Sequence, residues 1–145
     1  MIAYIDGGAR GNPGAAGFGV YLEDEDGREV ASLFGYLGER TNNVAEYAGL
    51  LAALRYAVDH GVERIAIRSD SELLVKQING VYRVKNPTLQ RLVARARKLM
   101  GGLKGITVEH VRRERNVNAD RLANLAMDTR GQQPEGVADG LLDPA

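Results

Sequence analysis

The feature that most limits the fold of this chain is a change in the spacing of its apolar residues near position 41. Before it, residues 2–6 form a short apolar segment that ends in an acid, and residues 17–22 and 28–37 flank an acidic, turn-like segment at 24–27. These patterns predict a buried strand and a hairpin, and together three antiparallel strands. After it, the apolar residues recur at helical spacing, which predicts a helix.

The segments after position 41 alternate between helical and strand patterns. The first helix is capped by Asn42 or Asn43 and ends near Gly61. The later patterns predict a strand at 63–69, helices at 71–78 and 88–100, a strand at 105–111 and a helix at about 116–127. The element order is therefore βββαβααβα, which is typical of an α/β domain.

The sequence changes character after Arg130. The residues beyond it lose periodicity and are rich in Gly, Pro and Asp, so we expect a domain at 1–129 and a flexible C-terminal tail at 130–145. Leu141 and Leu142 leave a second possibility open, in which the tail docks on the domain.

Composition excludes several classes of protein. A chain of 145 residues suits one domain with a real core. The absence of cysteine excludes a disulfide scaffold, a cysteine nucleophile and a thiolate metal site. No signal peptide is recognisable at the N-terminus, and no apolar run reaches the roughly 20 residues needed to cross a bilayer. We therefore expect a cytoplasmic protein that does not associate with membranes.

Charge is unevenly distributed although the formal net charge is zero. Between residues 83 and 115 there are ten basic and two acidic residues. Arg91, Arg95 and Lys98 share one face of the predicted helix at 88–100. This region could face a polyanion, or it could be an ordinary solvated surface, and charge alone does not separate the two interpretations.

Four acids stand where chemistry is expected. Asp6 and Asp70 each follow an apolar strand, and parallel pairing of these strands would bring both carboxylates to the same sheet edge. Glu46 and Asp120 lie in the first turns of two predicted helices. Converging carboxylates repel one another unless cations neutralise them, and oxygen ligands suit Mg²⁺ or Mn²⁺. Taken singly, each acid has a simpler interpretation as a turn residue, a helix cap or a solvated side chain.

Four segments carry a resemblance to a known family. They are DGGARGNPG at 6–14, TNNVAEYAGL at 41–50, SDSELLV at 69–75 and NVNADRLANLA at 116–126. In this order they resemble the signature blocks of the type 1 ribonuclease H family, over about residues 1–127. The resemblance implies a ribonuclease H-like α/β fold, in which a mixed five-stranded sheet, three antiparallel strands followed by parallel ones, is flanked by helices.

The resemblance also implies an activity and a set of site residues. It implies a monomeric endoribonuclease that hydrolyses the RNA strand of RNA–DNA hybrids, leaving 5′-phosphate and 3′-hydroxyl ends, with two Mg²⁺ ions for which Mn²⁺ could substitute. The catalytic and metal-binding acids would be Asp6, Glu46, Asp70 and Asp120, and Arg113 would place positive charge near the scissile phosphate. The substrate-binding residues would be Gly7, Gly11, Asn12, Thr41, Asn42, Asn43, Ser71, Glu72 and Asn116, although Glu72 stands where many members carry Gln.

The chain departs from the family pattern in two places. Residues 79–88 are too short for the basic protrusion of some members. The arginine-bearing helix face has two interpretations, as a partial replacement for the protrusion or as an ordinary solvated surface. The loop at 112–115 lacks the catalytic histidine of many bacterial members. We expect His110 to lie in a strand with a structural role, and His60 to stabilise the C-terminal end of a helix.

Two other functions are compatible with such a fold. One is a non-catalytic module that binds hybrid or RNA, since a fold does not determine function. The other is a DNA-cutting enzyme similar to a resolvase or transposase core. The four acids disfavour the first, and the Thr41–Asn43 and Gly11–Gly14 segments disfavour the second.

Overall fold

The computed structural model describes residues 1–143, in which four helices flank one mixed sheet of six strands. The strand order across the sheet is β5-β4-β1-β2-β3-β6. The strands are β1 (Ile2–Arg10), β2 (Gly14–Glu23), β3 (Glu29–Arg40), β4 (Arg64–Ser69), β5 (Gly105–His110) and β6 (Gln132–Gln133); the helices are α1 (Asn42–Asp59), α2 (Glu72–Ile78), α3 (Pro87–Met100) and α4 (Val117–Thr129). The predicted order βββαβααβα is confirmed, with β6 added at its end. No helix of the described chain has the length and hydropathy needed to span a bilayer.

Strand β1 is longer than its apolar pattern suggested. It was predicted to end at Asp6, but it pairs antiparallel with β2 as far as Arg10 opposite Ala15. The pairing continues because the glycines and alanines after Asp6 face equally small or apolar residues on β2, such as Gly17 opposite Gly8. Asp6 therefore projects from the middle of a strand, where its backbone is held firmly.

The parallel pairing expected on the other side of β1 is confirmed. Strand β4 runs parallel to β1, and the last paired residues are Ile5 and Ser69. The residue after each of them is an aspartate. Asp6 and Asp70 consequently lie side by side where the ladder between these two strands ends.

Helix α1 fills the centre of the core. Its buried residues include Leu50, Leu51 and Leu54. Its cap is Thr41, not Asn42 or Asn43 as predicted: the Thr41 side chain accepts a hydrogen bond from the backbone N–H of Val44 at 3.3 Å. A hydroxyl at this position satisfies an amide that has no partner within the helix.

Two glycines allow α1 to approach β1 closely. A Cβ added to Gly7 would lie 2.2 Å from the carbonyl oxygen of Ala45, and one added to Gly49 would lie 3.0 Å from the carbonyl oxygen of Asp6. Only a hydrogen atom fits between the two backbones at Gly7. This contact places Glu46, the next residue of α1, beside Asp6.

The C-terminal segment packs against the domain. Strand β6 pairs with β3 (Gln133 opposite Phe34), and the side chains of Leu141 and Leu142 are 3% and 8% exposed in the main core. The Arg55 guanidinium donates to the carbonyl of Asp139 at 2.8 Å. The expectation of a separate tail is thus corrected for the described residues, and the docking of Leu141 and Leu142 is the arrangement found. Residues 144–145 lie outside the described chain.

Replacement of Leu141 tests this packing. We expect Leu141→Ala to lower the free energy of unfolding by about 2–4 kcal/mol, because it leaves a cavity beside the core. The matched Leu125→Ala variant changes a leucine that is 36% exposed and should cost less than about 1 kcal/mol. Urea denaturation monitored by circular dichroism measures both losses of unfolding free energy. Equally small losses in the two variants would show that the C-terminal segment does not contribute to the hydrophobic core.

A pair of neighbouring glycines tests the close approach of α1. Gly7→Ala should destabilise the protein by at least about 1–3 kcal/mol, because the added methyl group collides with the α1 backbone. Gly8 is the control, since a Cβ there would meet nothing nearer than 3.9 Å and should change stability by less than about 1 kcal/mol. Thermal denaturation compares the melting temperatures of the two variants. Similar melting temperatures would contradict the close contact between α1 and β1 at Gly7.

Candidate active site

The four acids predicted from sequence line a single open cleft. Its volume is about 520 Å³, and it lies where β1, β4, α1 and α4 meet. Its lining comprises Asp6, Gly7, Gly8, Ala9, Arg10, Asn42, Glu46, Asp70, Arg113, Asp120, Ala123, Asn124 and Met127. The structure thus brings together acids that are up to 114 positions apart in the chain (Asp6 and Asp120).

Each acid is positioned by a different element. Asp6 and Asp70 directly follow Ile5 and Ser69, the last residues that β1 and β4 pair with each other. Glu46 lies in the second turn of α1. Asp120 lies in the first turn of α4, where its backbone N–H donates to the carbonyl of Asn116 at 3.1 Å. Asp6 lies within a strand, Asp70 at a strand end, and Glu46 and Asp120 near helix starts, so the acids are held by the fold rather than by a mobile loop.

Burial and mutual repulsion favour protonated carboxyl groups in this cleft. Burial, followed by the charge of Asp70, raises the pKa of Asp6 to about 8, and Asp120 adds to the effect through a hydrogen bond and its charge. Burial also raises the pKa of Glu46, against a hydrogen bond with Ser71 that lowers it. Ionising the whole acid set therefore calls for added positive charge, although Arg10 and Arg113 line the same cleft.

This arrangement fits divalent cations. Carboxylate oxygens are the ligands that Mg²⁺ and Mn²⁺ prefer, and a cation would relieve the repulsion that raises the pKa of Asp6. Within residues 1–143, no three His, Asp or Glu side chains are already grouped as a metal-binding cluster. The acids share the cleft without closing on a common centre, as mutual repulsion between carboxylates favours.

Asn12 and Asn42 form a polar frame beside the cleft, and Asn42 is the one that lines it. The Asn12 Oδ1 atom accepts a hydrogen bond from the Asn42 backbone N–H at 3.1 Å. The Asn42 Oδ1 atom accepts from the Ala9 backbone N–H at 2.8 Å. These bonds tie the β1–β2 turn, where Gly11 has a positive φ of 91°, to the start of α1. Thr41 caps that helix, and Asn43 is exposed beside it.

Ser71 and Glu72 differ in their relation to the acids. Ser71 caps α2 by accepting from the Leu74 backbone N–H at 3.2 Å, and it also lowers the pKa of Glu46. Glu72 is exposed and pairs with Lys76 at 2.7 Å. Because Glu72 does not line the cleft, any contact with a ligand would involve its outer rim.

The assignment of Asn116 as a substrate-binding residue is corrected. Its side chain is only 1% exposed, and its Nδ2 atom donates to the carbonyl of Ile5 at 2.8 Å. It therefore joins the loop before α4 to strand β1, next to Asp6. Asn116 therefore stabilises the strand that carries Asp6, and its buried side chain is not available to a ligand.

The loop before α4 supplies Arg113 to the cleft, whereas His110, just before this loop, does not line the cleft. Arg113 begins a single 3-10 turn at Arg113–Arg115 and lines the cleft. His110 is the last residue of β5, so its prediction as a strand residue is confirmed, although it is exposed. His60 caps α1, and its ring nitrogen Nδ1 lies 2.9 Å from the Tyr56 carbonyl oxygen.

Sequence reasoning missed Arg10 and Asn124, which both line the cleft. The available signal was the four-residue spacing of Asp120 and Asn124, which places them on one face of α4. Arg95 was a candidate for substrate binding, yet its guanidinium donates to the carbonyl of Gly140 at 3.1 Å. The arginine-bearing face of α3 is thus partly occupied by the C-terminal segment.

The mixed sheet and the acid-lined cleft beside β1 and β4 define a ribonuclease H-like α/β protein. A family model described as reverse transcriptase-like matches residues 4–126. Ribonuclease HI of Halobacterium salinarum is 45% identical over 126 residues, which cover 87% of this chain and 63% of that protein. The chain belongs to the type 1 ribonuclease H family.

Solved structures agree with this placement. RNase H1 from Halobacterium salinarum has a TM-score of 0.86 at 44% identity, covering 88% of this chain and 97% of that one. LC11-RNase H1, solved in complex with an RNA/DNA hybrid, has a TM-score of 0.85 at 42% identity, covering 89% and 97%. The chain spans less than two thirds of its first curated relatives: 63% of the halobacterial protein and 38% of a bifunctional protein of Mycobacterium tuberculosis.

The raised pKa of Asp6 predicts a pH dependence of stability. The unfolded chain releases this proton near pH 3.8 and the folded protein near pH 8. The folded state therefore binds more protons in this window, and the contribution of Asp6 to stability is lost as pH rises through it. In EDTA, we expect Asp6→Asn to become progressively more stable than wild type between pH 4 and pH 8.

Urea denaturation at several pH values measures this difference. Asp26→Asn, in the exposed β2–β3 turn, is the control and should follow wild type throughout. A constant difference between Asp6→Asn and wild type would show that Asp6 ionises normally.

Proposed function

We propose that this chain hydrolyses the RNA strand of RNA–DNA hybrids with divalent metal ions. The observation that carries the proposal is the convergence of Asp6, Glu46, Asp70 and Asp120 in one cleft. Two relatives support the choice of substrate. One is named ribonuclease HI, and the other, LC11-RNase H1, was solved in complex with an RNA/DNA hybrid.

The four acids would hold two Mg²⁺ ions, with Mn²⁺ as a substitute. When bound, such ions activate water and neutralise the charge that develops on the phosphate. Asp6 and Asp70 lie at the centre of the acid set and would contribute to both sites. Glu46 and Asp120 approach from α1 and α4 and would each complete one of them.

The remaining cleft residues would bind and orient the hybrid. Asn42 lines the cleft, and Asn12 contacts the Asn42 backbone. Both would bind an RNA 2′-hydroxyl or a base edge; contacts to the 2′-hydroxyl distinguish RNA from DNA. Arg113 would place positive charge near the scissile phosphate. Hydrolysis with these groups would leave 5′-phosphate and 3′-hydroxyl ends.

All of these residues belong to one chain, so we infer that a monomer is sufficient for activity. The Gly7 backbone borders the cleft, and Gly11, Thr41, Asn43, Ser71 and Glu72 belong to the segments around it. Their contacts with the hybrid would be through the hydroxyls of Thr41 and Ser71, the Asn43 amide, the Glu72 carboxylate and main-chain groups. We also infer that the protein acts in the cytoplasm.

Replacement of Asp70 tests the proposal. We expect Asp70→Asn to abolish Mg²⁺-dependent cleavage of a labelled RNA–DNA hybrid without lowering stability, because it removes a ligand and relieves repulsion at Asp6. Asp26→Asn serves again as the control and should cleave like wild type. Retained activity in Asp70→Asn would contradict the assignment of the metal ligands.

The same assay separates the alternative functions. Wild type is tested with a hybrid, duplex DNA and duplex RNA of one sequence, with Mg²⁺ and Mn²⁺ in parallel. Cleavage of the RNA strand of the hybrid alone supports the proposal. Cleavage of duplex DNA would favour a resolvase-like enzyme, and binding without cleavage would favour a non-catalytic module.

A further inference from the structure

Helix α4 carries a row of polar residues beyond the acid of the cleft. Asp120, Asn124 and Asp128 are spaced by four residues, so they lie above one another on the same face of the helix. Asp120 and Asn124 line the cleft. Arg10, at the end of β1, reaches this row from the other side.

Hydrogen bonds and an ion pair connect these four residues in series. The Asn124 Nδ2 atom donates to the Asp120 carbonyl oxygen at 3.0 Å and to the Asp120 carboxylate Oδ1 at 3.4 Å. The Asn124 Oδ1 atom accepts from Arg10 Nη2 at 3.3 Å. The same Nη2 atom lies 2.6 Å from Asp128 Oδ1. The Asp128 carboxylate thus holds the guanidinium that contacts Asn124.

Arg10 determines which end of the Asn124 amide faces Asp120. A guanidinium can only donate hydrogen bonds, so the amide oxygen must face Arg10. The amide NH₂ group then points toward the carboxylate of Asp120. A rotated amide would place its oxygen against that carboxylate and would lose the hydrogen bond from Arg10.

Asp120 needs such support more than the other acids do. It is the exposed member of the acid set, whereas Asp6, Glu46 and Asp70 are partly buried. An exposed carboxylate can occupy several rotamers, and holding it in one costs conformational entropy. A neutral donor orients the carboxylate without adding a positive charge that would compete with a cation.

We propose that Asn124 is a positioning residue that orients Asp120 for metal binding, and that Arg10 fixes the direction of the Asn124 amide. This inference rests on the proposed function, in which Asp120 is a metal ligand. It also links the end of β1, which leads into the Gly11–Gly14 turn, to the acid on α4.

Metal titration of Asn124→Ala tests the inference directly. With Mn²⁺ as the probe and no nucleic acid present, we expect isothermal titration calorimetry to show binding about tenfold weaker than in wild type, as is typical when a group that orients a ligand is removed. Asn118→Ala is the matched control, since Asn118 is exposed on the same helix and does not line the cleft; it should bind Mn²⁺ like wild type. Equal affinities in wild type, Asn124→Ala and Asn118→Ala would overturn the inference.

A double-mutant cycle shows whether Asn124 acts through Asp120. Asp120→Asn alone should weaken Mn²⁺ binding, and adding Asn124→Ala should weaken it no further. Additive losses, or normal Mn²⁺ binding by Asp120→Asn, would overturn the proposed route.

Substitutions of Arg10 test the direction of the amide. Arg10→Lys keeps a donor toward the Asn124 oxygen and should retain most of the Mn²⁺ affinity, whereas Arg10→Ala lets the amide rotate and should lose part of it. If both variants bind Mn²⁺ like wild type, Arg10 has no orienting role.

Hybrid cleavage is measured in parallel to keep the two proposals distinct. Asn124→Ala should lower kcat more than it changes KM, because it disturbs the orientation of Asp120 and not the binding of the hybrid. A wild type that cleaves no hybrid would contradict the proposed function, while the Mn²⁺ titrations would still decide the role of Asn124. A loss of activity with unchanged Mn²⁺ binding would count against the inference alone.

Discussion

The site depends on the contact between the backbones of α1 and β1. A residue larger than glycine at position 7 would push the helix away from the strand, since the space for a Cβ is already filled by the Ala45 carbonyl. Glu46 would then move away from Asp6 and Asp70, because it follows Ala45 directly. The Gly7 position therefore matters to the chemistry through packing, although the resemblance had suggested a role in substrate binding. The frame of Asn12 and Asn42 depends on the same contact, since it joins the β1–β2 turn to the first residue of α1.

The fold holds its acids together at a cost to its own stability. Burial and neighbouring charge raise the pKa values of Asp6 and Glu46, which means that their ionised forms destabilise the folded state. The surrounding core offsets this cost: α1 is buried along most of its length, and the C-terminal leucines extend the core. Asn116 adds a further tie by joining the loop before α4 to β1 beneath the cleft. A bound cation would then stabilise the folded state, because it would relieve the repulsion among the acids in a fold whose core is already well packed.

Sequence patterns predicted the parts of the structure that follow from local periodicity. The element order follows from the apolar patterns, and the adjacency of Asp6 and Asp70 follows from acids that come after apolar segments in two strands that pair in parallel. The extension of β1 to Arg10 did not, because it depends on small residues facing one another across two strands. The packing of the C-terminal segment could only be left open as an alternative, because besides Leu141 and Leu142 it depends on the guanidinium groups of Arg55 and Arg95, which donate to carbonyls far along the chain. The burial of Asn116 is likewise a tertiary effect, invisible in the sequence.

The arginines show why a count of charges does not locate a binding surface. The basic region at 83–115 suggested a grip for a polyanion, yet Arg95 contacts the carbonyls of the C-terminal segment. Arg10 lies outside that region and reaches the cleft itself, where Asp128 and Asn124 hold it. Arg113 is the member of the basic region that lines the cleft. Positive charge at the site is therefore supplied by arginines whose positions are set by β1 and by the turn before α4, and the partners of each guanidinium decide whether it supports the fold or faces a ligand.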